Sequence, residues 1–242
     1  MKIVDLHKKY NDLYVLKNLN MEISEQKICA IMGPSGCGKT TLLNIIASII
    51  EKDQGKLIEI EDKKKSYLFQ EPRLIPWKTV YENIGFVLKG NYNKIKANEI
   101  IHETLKDMEL EEFKYFYPDK LSGGMRQRVA LARAFSYPCD ILLMDEPFKS
   151  LDLELRYNLM LRFMKMWKKQ KPTVIFVTHD IQAAVMLSDY IYILSNKPTK
   201  VCEIIENNIP IKERYFYNKE FLQLEKTLYN KLIKISDYII EK

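Results

Sequence analysis

The chain has 242 residues, 47% of them hydrophobic and 29% charged, with a formal net charge of +6, which is enough apolar material for one large core or two small ones. No run of 18 apolar residues occurs, which excludes a helical membrane span, and residues 1–9 lack the apolar centre and cleavage site of a secretory leader, so a cytoplasmic product is expected. Only seven of the 38 basic residues are Arg and the lysines are scattered, a pattern of solvated faces rather than of a nucleic-acid surface, so no nucleic-acid partner is expected.

In chain order, residues 3–6 and 16–23 read as short strands around a polar turn at Asn11-Asp12, with Tyr10 as an edge aromatic. An apolar run over 28–32 leads into Gly33, Pro34, Ser35, Gly36, Cys37, Gly38, Lys39 and Thr40, which spell G-x-x-x-x-G-K-[ST]. Thr41 and a helical pattern through Leu42, Leu43, Ile45, Ile46 and Ile49 follow. Strand, glycine loop and helix in that order form the context of a phosphate-binding loop. Its glycines turn the backbone N–H groups inward and the helix adds a positive dipole end. Lys39 is placed to reach the β- and γ-phosphates, and the Thr40 hydroxyl to ligate Mg²⁺. Of the four cysteines, Cys29, Cys139 and Cys202 read as ordinary reduced thiols. Cys37, at a helix N-terminus, is expected to have a lowered pKa.

Residues 56–60 and 66–69 suggest a short hairpin around Lys63-Lys64-Lys65. Gln70 opens a stretch with Pro72 and Pro76, which precludes regular structure. Thr79 reads as an N-cap, and helical spacing dominates from there to Phe116. Leu121-Ser-Gly-Gly-Met-Arg-Gln127 then feeds a helix over 129–135, a second loop suited to an anion. An apolar strand over 141–144 ends in Asp145, Glu146 and Pro147. Residues 153–168 form an amphipathic helix, 173–177 a buried strand ending at Thr178-His179-Asp180, and 181–187 a short helix. A hairpin over 190–194 and 201–205 and a terminal helix complete the chain.

Adjacent Asp145 and Glu146 point opposite ways on a strand, so both reach one site only if the strand stops there, as Pro147 suggests. Strands near 28, 141 and 173 imply an α/β fold with a mainly parallel core sheet. The first strands and the 56–69 hairpin would add an antiparallel β patch, and residues 78–137 an inserted helical subdomain.

The segment Leu121, Ser122, Gly123, Gly124, Met125, Arg126 and Gln127 resembles the signature sequence of ABC-type ATPases, with the phosphate loop before it and residues 141–146 after it. The resemblance covers residues 3–206 and, more loosely, a C-terminal helical extension over 207–242, and it implies a single nucleotide-binding domain of P-loop NTPase type over 1–242. It implies ATP and Mg²⁺ as cofactors. Tyr10 would stack on adenine, Gln70 would contact Mg²⁺ and the attacking water, Asp145 would hold Mg²⁺, Glu146 would act as base and His179 would contact the γ-phosphate. Ser122, Gly123, Gly124, Met125 and Gln127 would close on ATP held by a second copy of the chain, and Leu151 and Asp152 would form the D-loop crossing that dimer.

Residues 69–84 and 178–189 further resemble the nitrate, sulfonate and taurine group of importers, features that importers of thiamine precursors share. The implied partners are a membrane permease and, indirectly, an external solute-binding protein, with the chain peripheral on the inner face of the membrane. Trp77 reads equally as a packing aromatic or a permease contact. Two positions depart from the family: Lys149 replaces a small residue, and Ser48 replaces a glycine, expected as a mild packing change. A P-loop kinase would leave the signature and His179 without a role. ABC machines acting on DNA or ribosomes usually carry a coiled coil or second cassette, and a non-catalytic module would lack Lys39 or Glu146.

Overall fold

The computed structural model describes residues 1–149 and 151–237; Ser150 and the last five residues of the expected C-terminal extension lie outside them. Three strands are buried along their whole length: β3 (Ile28–Met32), β6 (Ile141–Asp145) and β7 (Thr173–Val177). Continuous apolar sequence is what a parallel strand covered on both faces requires. They sit at the centre of a six-stranded sheet of order β5-β6-β7-β3-β8-β9, with β5 (Lys65–Leu68), β8 (Tyr190–Leu194) and β9 (Val201–Glu206) outside them. All pairings are parallel except the β8–β9 hairpin. Alternation along β3 divides the interior, with Ile28, Ala30 and Met32 in one core and Cys29 and Ile31 in the other.

A second sheet of order β2-β1-β4 is antiparallel, built from β1 (Lys2–Tyr10), β2 (Leu13–Glu22) and β4 (Gln54–Ile58). β1 and β2 are longer than the sequence suggests. Register shifts between Ile3 and Leu6 and near Lys8 break the two-residue alternation, and bulges of this kind hide strand from a periodicity reading.

The expected 56–69 hairpin does not form. β4 pairs with β1 and β5 pairs in parallel with β6. The lysine-containing link is captured by Asp140, whose carboxylate accepts from Lys64 N at 2.8 Å, while Lys64 O accepts from Asp140 N and Ile141 N. Leu57 and Leu68 are therefore buried in different cores.

Helix α1 (Lys39–Ile46) follows the glycine loop. Its end explains Ser48, which sits at φ +60° with Ser48 N bonded to Ile45 O and Ile49 N to Asn44 O. That is a Schellman cap, whose left-handed position favours glycine. Backbone conformation rather than packing is the cost of serine there. Ser48→Gly should stabilise the fold by about 1 kcal/mol and raise the melting temperature by about 2–4 °C; an unchanged melting temperature would contradict this.

Helices α2 (Val80–Phe86), α3 (Lys94–Asp107) and α4 (Gly123–Ser136) pack on one another, and Ser66 of β5 donates to Ala134 O. Thr79 and Glu82 form a capping box on α2, and the Ser122 side chain caps α4. Helices α5 (Leu153–Gln170) and α6 (Ile181–Leu187) flank the sheet, and α7 (Lys219–Asp237) packs on α6. The extension is held by buried Arg214, which donates to Ile209 O, Ser188 O and Asn207 O, and by Phe216, which meets Tyr157 at a tilt and Phe221 edge to face. Among the described residues no helix is long and apolar enough to cross a membrane.

Candidate active site

Four neighbouring strands end at one edge of the large sheet. Their register pairs Leu68 with Met144, Asp145 with Val177, and Val177 with Ile31. The residues just beyond are Gln70, Glu146, Thr178-His179 and the glycine loop. A parallel sheet offers its ligand site at this carboxyl edge.

The loop adopts the conformation its glycines permit. Gly38 has φ +112°, and a Cβ there would lie 2.6 Å from Val15 Cγ1, so neither the backbone nor the space admits a side chain. That contact also sets the β1–β2 hairpin, with Tyr10 at its tip and 43% exposed, against the loop. Lys39 Nζ donates to Gly33 O at 2.8 Å and Pro34 O at 2.9 Å. Its ammonium is thus held over the loop, where an arriving phosphate would replace carbonyl partners.

Cys37 departs from expectation. The thiol is buried, and burial pushes its pKa up despite the opposing influence of Lys39 and nearby backbone N–H groups. A buried thiol of raised pKa is inert.

Asp145 and Thr40 meet. Burial pushes the Asp145 carboxyl above its ordinary value, against the Thr40 hydroxyl that hydrogen-bonds it; Glu146 adds to the rise, while Lys39 and Lys149 oppose it. A buried carboxylate beside a hydroxyl is a fitting donor set for Mg²⁺, which needs one or two carboxylates and takes its other ligands from phosphate and water. Among the described residues no cluster of three or more His, Cys, Asp or Glu could hold an ion alone.

The raised pKa carries a sign. The folded state holds the Asp145 proton more tightly than the unfolded state, so this contribution to stability is full below the ordinary carboxylate value and is lost as pH rises through the raised one. Nucleotide-free Asp145→Asn should therefore melt above the parent near neutrality, with the gap closing toward acid, while losing Mg²⁺-dependent nucleotide binding. Melting curves from about pH 4 to about pH 8 check this; a variant less stable than the parent at neutral pH would contradict it.

β6 stops at Asp145, and Glu146 takes a left-handed φ of +47°, with its N–H bonded to Val177 O. That turn lets both carboxylates serve one edge. Glu146 Oε1 lies 2.7 Å from His179 Nδ1. The carboxylate is largely enclosed and the imidazole largely exposed, so the histidine forms the outer side of the pair. Asp180 caps α6 and pairs with Arg156 at 2.8 Å, which fixes the backbone beside His179. Gln70 is exposed beyond β5.

The signature residues lie elsewhere. Among the described residues no hydrogen bond joins Ser122 or Gly123 to the glycine loop. Ser122 Oγ accepts from Met125 N, Met125 is half-buried on the core, and buried Gln127 donates to Pro147 O at 2.6 Å, tying α4 to the turn after Glu146. A Cβ on Gly124 would fall 2.2 Å from Leu155 Cδ2, so close helix packing explains that glycine. Gly123 has nothing within 4 Å. Among the described residues nothing requires glycine at that position. Leu151 is half-buried on the core, and exposed Asp152 caps α5 through Leu155 N at 2.9 Å.

Two positioning residues escaped the sequence reading. Asn83 is fully buried, accepting from Ile75 N and donating to Lys78 O, and Arg133 donates to Pro72 O and Arg73 O at 3.0 Å. Together they shape the segment after Gln70. Their signal was faint: an amide within the apolar pattern of α2 and an arginine late in α4. Trp77, in the same segment, is 75% exposed, so it is not a packing aromatic in this chain.

The family model described as ABC transporter matches residues 16–149. An aliphatic sulfonates import ATP-binding protein of Bacillus cereus is 42% identical, covering 84% of this chain and 82% of its own length. An ABC transporter ATP-binding protein of Methanocaldococcus jannaschii is 41% identical over 91% of this chain and 85% of its own. The solved dimeric post-hydrolysis state of an ATP-binding cassette bound to ADP and Pi superposes with a TM-score of 0.74 at 32% identity, covering 86% of this chain and 98% of that one.

Proposed function

Because the chain belongs to the ABC transporter family, we propose that it powers a binding-protein-dependent importer of small solutes of the nitrate, sulfonate and taurine kind. It is an ATP-binding subunit and an ATPase. The observation that carries the catalytic reading is the convergence of the Thr40–Asp145 and Glu146–His179 pairs at adjacent strand ends.

Lys39 would leave its loop carbonyls for the β- and γ-phosphates, and Thr40 and Asp145, with Gln70, would hold Mg²⁺, which supplies charge neutralisation on the phosphates. Tyr10 would stack on the base. His179, turning to the γ-phosphate, would release the Glu146 carboxylate to take a proton from water or orient it for attack. Ser122, Gly123 and Met125 would complete the site from a second copy, with Leu151 and Asp152 at the junction. The open space at Gly123 supports this, because a glycine needed by neither fold nor backbone fits close approach by something outside the chain.

A permease contact is supported by Trp77, Tyr115 and Phe116, which are 75%, 70% and 44% exposed. Phe116 O and Lys114 O accept from Val80 N and Tyr81 N, which ties the 114–116 turn to the start of α2, three residues past Trp77. Contiguous exposed apolar groups mark interaction sites. On this reading the protein would act at the inner membrane face, bound to a permease and fed by an external solute-binding protein. Among substrates, the 42% identity to an aliphatic sulfonates import protein favours sulfonates over a thiamine precursor.

Growth on an aliphatic sulfonate as sole sulfur source tests the reading. A strain lacking the gene should fail to grow and recover with the intact gene but not with Glu146→Gln; normal growth of the deletion strain would remove the sulfonate assignment.

A further inference from the structure

A cavity of about 330 Å³ lies beside the catalytic pair, between the turn after β6, the start of α6 and helix α7. Four of its ionisable groups are partnered within the chain: Glu146 with His179, and Arg156 with Asp180. Two are left over. Lys149 is exposed on a turn closed by Lys149 N to Glu146 O at 3.2 Å. Glu225 of α7 lines the same cavity, and among the described residues neither side chain has an ion-pair partner. Leu151 lines it too, so the cavity is continuous with the junction placed between copies above. On α7, Leu222 and Tyr229 stand one turn to either side of Glu225 and are 49% and 57% exposed.

We propose that in the ATP-closed dimer Lys149 of each chain pairs with Glu225 of the other, with Leu222 and Tyr229 covering the contact. This rests on the sandwich-dimer reading. The occupant is a second copy of this chain because a two-fold interface is self-complementary: where residue i meets residue j, j also meets i, so one cation and one carboxylate per chain produce two matched contacts. The pair joins the C-terminal extension to the closing interface, so that α7 takes part in holding the nucleotide-bound state. Being partly solvated, it should weaken as salt rises.

Charge reversal in the Glu146→Gln background, which is expected to hold the closed dimer, tests this. With ATP, Lys149→Glu alone and Glu225→Lys alone should each weaken self-association about tenfold. Mixing the two differently tagged variants should restore it and give predominantly heterodimers, since across that dimer both contacts regain opposite charges while each chain alone carries two like charges. Pairing within one chain gives a different pattern: the double variant would recover, as it would under pairing between chains, but the mixture would not. That pattern, or single reversals that associate as well as the parent, would overturn the proposal while leaving the sandwich intact. A parent that fails to dimerise with ATP would overturn both.

Discussion

Glu146→Gln should bind ATP with near-parental affinity while its turnover falls by a factor of about 10² to 10⁴, the usual contribution of a positioned base. The amide is nearly isosteric, so the turn at φ +47° and the bond from Glu146 N to Val177 O should survive. Hydrogen bonding to His179, 2.7 Å away in the parent, also survives. Only the capacity to take a proton is lost. We propose that ATP closes the two chains on each other and that its hydrolysis reopens them, so the variant should accumulate as an ATP-bound dimer. Phosphate release and size-exclusion chromatography with ATP measure both effects; parental turnover would remove Glu146 from its role.

Lys39→Ala should weaken ATP binding about 10- to 100-fold, the loss of a charge-assisted hydrogen bond worth about 1.5–3 kcal/mol. In the parent the ammonium is held by Gly33 O and Pro34 O. Both carbonyls belong to the loop edge, and the glycine conformations there do not depend on the lysine. The nucleotide-free variant should accordingly fold as the parent does, so the deficit is one of binding. Calorimetric titration reports the affinity and thermal melting the fold. Unchanged affinity would contradict the placement of Lys39 on the phosphates.

The central strands were legible because burial on both faces leaves continuous apolar runs, and β7 falls on 173–177 as expected. Residues 56–69 were not, since local pattern cannot say whether a strand pairs with its neighbour or with one 76 residues away; Asp140 decides that by capturing Lys64. Asp145 and Glu146 were readable as a strand end because Pro147 follows them. Cys37 was misread because helix position says nothing of depth, and burial outweighs the dipole there. At Ser48 the family's glycine reflected a left-handed cap rather than packing, a torsion that sequence alone does not display. Gly123 and Gly124 are indistinguishable as letters. In the fold one is packed against Leu155 and the other faces open space.

The central claim is that each ATP site needs two chains, and complementation tests it most directly. In the Glu146→Gln background with ATP, neither Lys39→Ala, which lacks a working loop, nor Ser122→Arg, which lacks a working signature, should self-associate. A mixture of the two retains one intact site, the loop of the second variant facing the signature of the first. Association of differently tagged chains on mixing, with one nucleotide held per pair, is the expected result. Ser122→Arg dimerising alone as the parent does, or a mixture that remains monomeric, would contradict a site shared between chains.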